Sequence, residues 1–544
     1  MNENYQEIVT QYFRYLAMTF PVMCASDEFY FFPRAEYSAN FYHRMENLQA
    51  DDMEEVIAQL KDFRKQFSRF ENQENDLEKR IDINLLKANI AGILIELENN
   101  RTWCHNPLLY LKIAFIGLDH AITKPLSGDD EFAERLYGRL STIPLLLHNG
   151  ISNITSVPET YHQSSIAMLM DVKKYIIDIR GTVSKMVKEG IYDVYLGVFE
   201  NVLNSLDLFQ VFLETVMKVP DHHFSLSSLE DSLKEHFLSQ RSLKEIYGIA
   251  ENEWHQITEK LNRLTVQIDS EKSWQELYHA FTPSNTENAD ILSLYRNEME
   301  KLKLFFSKNN FSKNLPDPAV EIKETPRYLR SVRGTASFSA ALTADIQDIS
   351  YFYITTRLPE TNTKESEVLL KKRLHKEYKF LTAHETIPGH HLLDSMRRRM
   401  KNPVRRQIES PLFYEGWASY AESLLADSGY VEKPIECLVE YKRRLWRAAR
   451  CQIDAGIPSG KLTCDDAVNL LTSVGFSAEE ARRQIDRFRL NPGYQLCYTL
   501  GAYEINELKK KHGPSLGEEQ FHHFLLSGGQ LPFCWIDKRF EKLK

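Results

Sequence analysis

The feature that most constrains the fold is the helical spacing of apolar residues over roughly the first 300 positions. Residues 76–100 (DLEKRIDINLLKANIAGILIELENN) place isoleucine and leucine mostly three and four positions apart. This spacing gathers them on one broad stripe of an α-helix. Glycine and proline are sparse in this part of the chain, and long strand-like alternation is absent. We therefore predict a mainly α, multi-helix protein.

The composition changes between residues 305 and 341, where three prolines are followed by small and β-favouring residues. The next segment, residues 348–358 (DISYFYITTRL), alternates aromatic and β-branched side chains, which is typical of a strand. Helical patterning then resumes up to the C-terminus. We predict an N-terminal helical region (1–325), a C-terminal catalytic region (326–544), a deep groove between the helical halves and a small β element near residues 335–356.

Composition and charge narrow the class of protein. The chain has 544 residues, 43% hydrophobic and 26% charged, which suits a globular protein with a large core. A net charge of −9 gives no reason to expect a nucleic-acid partner. The seven cysteines lack C-x-x-C pairing, which argues against a disulfide scaffold and favours a reducing compartment. Without a basic leader or an apolar run of about 18 residues, we expect no membrane span and a cytoplasmic protein.

The segment HETIPGHH, residues 384–391, departs from the zinc-binding pattern H-E-x-x-H. Pro388 stands where the second histidine belongs, and His390 and His391 follow. On a regular helix His384 and His391 share a face but lie about 10 Å apart along the axis, whereas His390 points away. Pro388 cannot donate a backbone hydrogen bond, and Gly389 permits unusual backbone angles. The helix must kink or end here, so one late histidine can fold back toward His384.

A third metal ligand is suggested some thirty residues later by SPLFYEGWASYAESL. Glu415 and Glu422 lie seven positions apart on one face of an otherwise apolar helix. Buried carboxylates are costly unless they are paired or bound to a cation. Glu415 is therefore predicted to be the third ligand. Glu422 is either a carboxylate that orients a ligand histidine or a surface charge.

These motifs resemble the bacterial family named domain of unknown function 885. HETIPGHH and YEGWASYAE carry the resemblance, which continues through YKRRLWRAARCQIDAGI and DRFRLNPGYQLCYTLGAYEINELK. It covers most of residues 325–544 and, more loosely, the helical N-terminal part. Members of this family resemble gluzincin metallopeptidases, similar in layout to angiotensin-converting enzyme and thermostable carboxypeptidases. The resemblance implies a Zn²⁺ cofactor and favours His390 over His391 as the second histidine ligand.

The same resemblance implies roles for residues around the metal. Glu385 would be the general base that activates the zinc-bound water. Tyr498 would donate a hydrogen bond to the oxyanion, the alternative being a core aromatic residue. Arg487 could bind a substrate carboxylate, or could equally pair with Asp486 or Glu480.

One position departs from the family pattern. Relatives often carry Asp-x-Gly-x-His where this chain has Asp454 to Pro458, so any part that this histidine plays in substrate binding is absent here. We predict a zinc-dependent hydrolase that cleaves an amide bond in a short peptide or peptide-like substrate. The alternatives are a metal-dependent tailoring enzyme of small-molecule biosynthesis and a catalytically silent binding protein.

Overall fold

The computed structural model describes residues 2–126, 128–186, 189–221, 226–284, 289–308, 319–358 and 364–543. Within these ranges the protein is mainly α, as predicted. The helices before residue 325 are α1 Asn2–Thr19, α2 Ala50–Glu71, α3 Leu77–Leu94, α4 Pro107–Thr123, α5 Asp129–Asn153, α6 Glu159–Met186, α7 Glu189–Thr215, α8 Leu226–Asp231, α9 Leu243–Ile268, α10 Trp274–Ala280 and α11 Ile291–Lys308.

The helices after residue 325, and the turns between them, carry the predicted motifs. They are α12 Lys364–Glu385, α13 His390–Arg397, α14 Pro403–Gln407, α15 Pro411–Asp427, α16 Pro434–Gly456, α17 Cys464–Ser473, α18 Ala478–Arg489, α19 Cys497–Leu516, α20 Glu518–Ser527 and α21 Phe533–Glu541.

Local sequence explains where these helices begin. The side chain of Asp76 caps α3 by accepting a hydrogen bond from the Lys79 amide, and the apolar stripe behind it is buried as predicted. Proline occupies the first turn of α14, α15 and α16, where its missing N–H costs nothing.

The β structure is small. A parallel pair joins β1 Ser156–Pro158 to β2 Met217–Val219. A second sheet has the order β3-β5-β4, with β3 Val320–Glu324 parallel and β4 Ala336–Ser339 antiparallel to β5 Ser350–Ile354. The predicted element near residues 335–356 is thus present as β4 and β5, and β3 was not predicted. Part of the proline-rich stretch, residues 309–318, lies outside the described residues.

The second sheet supports the helix that carries the histidine motif. Ile322 of β3 and Phe352 of β5 form an apolar cluster with Leu374, Tyr378 and Leu381 of α12. This packing fixes the last turns of α12 against the sheet, just before His384.

The main apolar core extends across residue 325. It joins Ile257 and Leu261 of α9 to Leu445 and Ala449 of α16, and these two helices pack along each other. The boundary near residue 325 stays a prediction. No helix within the described ranges is long and apolar enough to cross a membrane. All seven cysteines fall within the described residues and are free.

Candidate metal centre

A tight turn replaces the second half of the expected zinc-binding helix. Helix α12 ends at Glu385, and α13 begins at His390. Between them the amide of Gly389 donates to the carbonyl of Ala383 at 2.9 Å, which folds the chain back onto the end of α12. The Ile387–Pro388 peptide bond in this turn is cis.

Glycine is required at position 389 by this close approach. A Cβ atom there would lie 1.9 Å from the carbonyl oxygen of His384 and 2.4 Å from that of Ala383. The turn is also tied to α15, because the indole N–H of Trp417 donates to the Pro388 carbonyl at 2.8 Å. The distortion predicted at Pro388 and Gly389 is therefore present, and both residues take part in it.

The turn brings the predicted ligands together. The imidazole centres of His384 and His390 are 4.7 Å apart. Oε2 of Glu415 lies 3.5 Å from Nε2 of His384 and 3.6 Å from Nε2 of His390. All three side chains are buried, and their ligand atoms lie within 4.8 Å of one another.

The surroundings of the buried Oε2 of Glu415 indicate whether a metal ion fits between the three side chains. Glu415 Oε2 has no hydrogen-bond partner among the described residues, and 3.5 Å is too long for a strong hydrogen bond to an imidazole. A tetrahedral zinc ion with bonds of about 2.0–2.1 Å holds its ligand atoms about 3.3–3.4 Å apart. The two nitrogens and one oxygen therefore suit zinc in chemistry, and the two oxygen–nitrogen distances are close to those of a zinc site.

His391 faces elsewhere. Its ring lies 5.8 Å from that of Phe338, and it does not belong to the group of possible metal ligands found among the described residues. The ring of His390, in contrast, stacks on Tyr414 with centres 3.8 Å apart. The structure thus selects His390 over His391 as the histidine that meets His384.

Glu422 contacts Nδ1 of His384, the ring nitrogen that faces away from Glu415. Its Oε1 lies 3.0 Å from Nδ1 of His384, and this buried carboxylate is fixed by Arg443 at 2.7–2.8 Å and by Arg447. A carboxylate that accepts from Nδ1 leaves Nε2 free to bind a metal ion. Glu422 therefore occupies the orienting position that was one of its two predicted roles.

Tyr494, which the sequence analysis did not identify, forms a hydrogen bond with the other carboxylate oxygen of Glu415. Its hydroxyl donates to Oε1 at 2.6 Å. This contact leaves Oε2 as the oxygen that faces the two histidines. The only available sequence signal was the presence of two tyrosines, Tyr494 and Tyr498, in the segment NPGYQLCYTLG.

The electrostatics of the centre favour a cation. Burial opposes a charge on His384, but the carboxylates of Glu415 and Glu422 outweigh it and raise its pKa to about 9. Burial raises the pKa of Glu385 to about 7, with a further contribution from the charge of Glu415. The centre thus binds a proton where it could bind a metal ion, so metal affinity should depend on pH.

The remaining predicted residues line one cleft of about 300 Å³ beside the centre. Glu385 is buried and belongs to its lining. The ring of Tyr498 lies parallel to that of His384 with centres 6.3 Å apart, so it faces the centre. Arg487 donates to the carbonyl of Val332 at 3.3 Å and forms no ion pair with Asp486 or Glu480 among the described contacts.

Pro458 lies away from this cleft, in the turn after α16. Asp454 of the same motif accepts hydrogen bonds from the amides of Gly493 at 2.9 Å and Leu496 at 3.2 Å. It therefore fixes the loop that carries Tyr494. The acidic residue of the motif keeps a structural role here, although the histidine is missing.

The chain belongs to the family of bacterial proteins of unknown function called DUF885, whose model matches residues 33–539. In fold it is similar to the crystal structure of a putative lipoprotein from Colwellia psychrerythraea, with 17% sequence identity, a TM-score of 0.74 and 92% of each chain covered. It is also similar to a putative lipoprotein of unknown function from Shewanella oneidensis, with 19% identity, a TM-score of 0.69 and coverage of 92% of this chain and 94% of that one. None of the curated proteins matches it significantly.

The prediction of a cytoplasmic protein is wrong by this comparison, because both solved structures are of putative lipoproteins. The prediction relied on cysteine spacing, on the lack of an apolar span and on an N-terminus without the basic region of a secretory leader. Attachment through a covalent lipid needs no apolar helix. The lack of an apolar span therefore does not distinguish a cytoplasmic protein from a lipid-anchored one.

Proposed function

We propose that the protein is a zinc-dependent hydrolase of the gluzincin kind, which cleaves an amide bond in a short peptide or peptide-like substrate. The observation that carries the proposal is the buried Oε2 of Glu415, which has no hydrogen-bond partner in the described part of the chain and lies 3.5 and 3.6 Å from two imidazole nitrogens. His384, His390 and Glu415 would hold the ion, and three protein ligands are typical of catalytic zinc.

A zinc ion bound there supplies Lewis-acid polarisation of the scissile carbonyl and makes water a better nucleophile at neutral pH. Glu385 takes the proton from the attacking water. It follows His384 directly at the end of α12, and burial raises its pKa to about 7. A carboxylate with this pKa accepts a proton readily and can return it to the leaving amine.

Tyr498 supplies a hydrogen-bond donor beside the reacting centre. Burial raises the pKa of its hydroxyl far above its usual range, so it stays protonated and able to donate. The negative charge that develops on the carbonyl oxygen in the transition state is then stabilised by a fixed donor. Tyr494 is less suited to this role because its hydroxyl is already bound to Glu415.

The test combines metal analysis with one isosteric substitution. Purified protein should contain about one zinc ion per chain, and His384→Ala or Glu415→Ala should lose most of it, since two ligands hold zinc poorly. In a screen of short peptides, Glu385→Gln should keep its metal while turnover falls by about 10²-fold or more. Wild-type turnover by Glu385→Gln, or full zinc content in Glu415→Ala, would show that the proposal is wrong.

A further inference from the structure

Six arginines line the cleft within the described part of the chain, and they divide into two groups. Four of them form ion pairs with carboxylates and are Arg333, Arg373, Arg443 and Arg447. Arg450 and Arg487 have no carboxylate within 4.0 Å among the described residues. Positive charge in a partly buried site is costly when it has no partner.

Arg450 is held in place by neutral groups. Its guanidinium donates to Oε1 of Gln495 at 2.9 Å and lies 4.0 Å from the ring centre of Tyr498. These contacts fix its direction without neutralising its charge.

Arg487 adds a second charge of the same sign. It donates to the carbonyl of Val332, beside the Gly334 backbone. Burial and the charge of Arg450 lower its pKa to about 10, which still leaves it protonated at neutral pH. The nearby carboxylate of Glu28 is already bound by Arg333 at 2.5 Å and by Lys112 at 3.2 Å. The two guanidinium groups therefore present unused donors to the same cleft.

We propose that Arg450 and Arg487 bind the C-terminal carboxylate of a peptide, so that the protein removes residues from the C-terminus and does not cut within long chains. Forked guanidinium donors suit a carboxylate. A cleft of about 300 Å³ is at the small end of ligand sites, which favours the end of a peptide over a passing chain.

The distance to the metal centre sets where the chain would be cut. Arg450 lies 4.0 Å from the Tyr498 ring centre, which lies 6.3 Å from that of His384. The Arg450 guanidinium thus lies at most about 10 Å from the ring centre of His384, a span of about three extended residues. Release of one to three residues is therefore expected. The cleavage step rests on the proposed function, whereas carboxylate binding does not.

The test measures binding without turnover. Calorimetry with Glu385→Gln would compare three probes: N-acetyl-trialanine, its C-terminal amide, and N-acetyl-Ala-Ala-Glu amide, whose only carboxylate is on a side chain. The free acid should bind about 10- to 100-fold more tightly than the trialanine amide, the range expected for charge-assisted hydrogen bonds. Adding Arg450→Gln or Arg487→Gln should reduce that ratio to below about 2-fold, the level expected when the charged donor is lost.

Arg483→Gln is the matched control, because Arg483 lies on the same helix as Arg487 but is exposed and pairs with Glu479. It should leave the preference for the free acid unchanged. Equal binding of acid and amide in the parent protein, or no binding of the free acid, would overturn the proposal whatever the folding of the arginine variants. Equally tight binding of the glutamate amide would show that the site reads side chains.

Failure of the two proposals can be told apart. A protein that prefers the free acid but holds no metal would refute the hydrolase and support the carboxylate site. Hydrolysis at the same rate for free-acid and amidated peptides would support the hydrolase and refute the carboxylate site.

Discussion

Replacing Gly389 with alanine should disrupt the metal centre through the backbone alone. The added Cβ would lie 1.9 Å from the carbonyl oxygen of His384. Relief of this overlap to an acceptable contact requires a movement of about 1 Å, because carbon and oxygen do not approach much closer than 3 Å. Zinc ligands tolerate errors of about 0.2 Å. The turn that carries His390 must therefore move by several times the tolerance of the site.

The expected result is a loss of metal affinity of about 100-fold or more, since displacing a ligand should cost at least as much as disturbing an outer contact. The free energy of unfolding should fall by about 1–3 kcal/mol, the usual cost of overpacking. Competition with a zinc chelator measures the first quantity, and urea denaturation of the metal-free protein measures the second.

Gly248→Ala provides the control. Gly248 lies within α9, and a Cβ atom there meets nothing within 4 Å. Its metal affinity should equal that of the parent protein, and its stability should rise slightly because alanine is the better helix former. Unchanged metal affinity in Gly389→Ala would refute the argument that this turn sets the position of His390.

Three further predictions concern single side chains. Tyr494→Phe should weaken metal binding by about 10- to 100-fold, because Glu415 loses the donor that orients it. Tyr498→Phe should lower kcat with little change in metal content, because its hydroxyl acts mainly in the transition state. Burial raises the pKa of Glu440 to about 8, so the folded protein binds an extra proton between about pH 4.5 and 8. Stability should therefore fall as pH rises through that window, by up to about 1.4 kcal/mol per pH unit, and Glu440→Gln should remove this part of the slope.

Each of these predictions has a contradicting result. For Tyr494→Phe it is unaltered chelator competition, and for Tyr498→Phe it is zinc loss in proportion to the loss of activity. For Glu440→Gln it is a slope of unfolding free energy against pH equal to that of the parent protein.

Many of the helices, and the candidate ligands His384 and Glu415, were predictable because each depends on a local pattern of residues. Apolar residues three and four positions apart identify α3, and a proline after a histidine-glutamate pair predicts a broken helix. The choice between His390 and His391 depends on the path of the turn, which spacing alone does not determine. Resemblance to relatives favoured His390, and in the structure it is His390 that lies beside His384 and Glu415.

Contacts between distant parts of the chain could not be predicted from local pattern. Tyr494 reaches Glu415 across 79 positions of sequence. The loop that carries Tyr494 is held by Asp454, whose role becomes apparent only when α16 and this loop lie side by side. Strand β3, Val320–Glu324, was missed although its apolar and charged residues alternate, because the alternation covers only five residues and the pairing with β5 joins positions 30 apart in the sequence.

The ion pair between Glu28 and Arg333 makes the charge of the cleft depend on residues that are far apart in the sequence. A fragment of residues 326–544 would lack both carboxylates that face Arg333, those of Asp27 and Glu28. Its cleft would then present another uncompensated guanidinium beside Arg450 and Arg487, and would attract anions with less discrimination. Transplanting the histidine motif with its neighbouring helices into another scaffold would therefore carry over the candidate metal ligands but not the charge balance of the cleft.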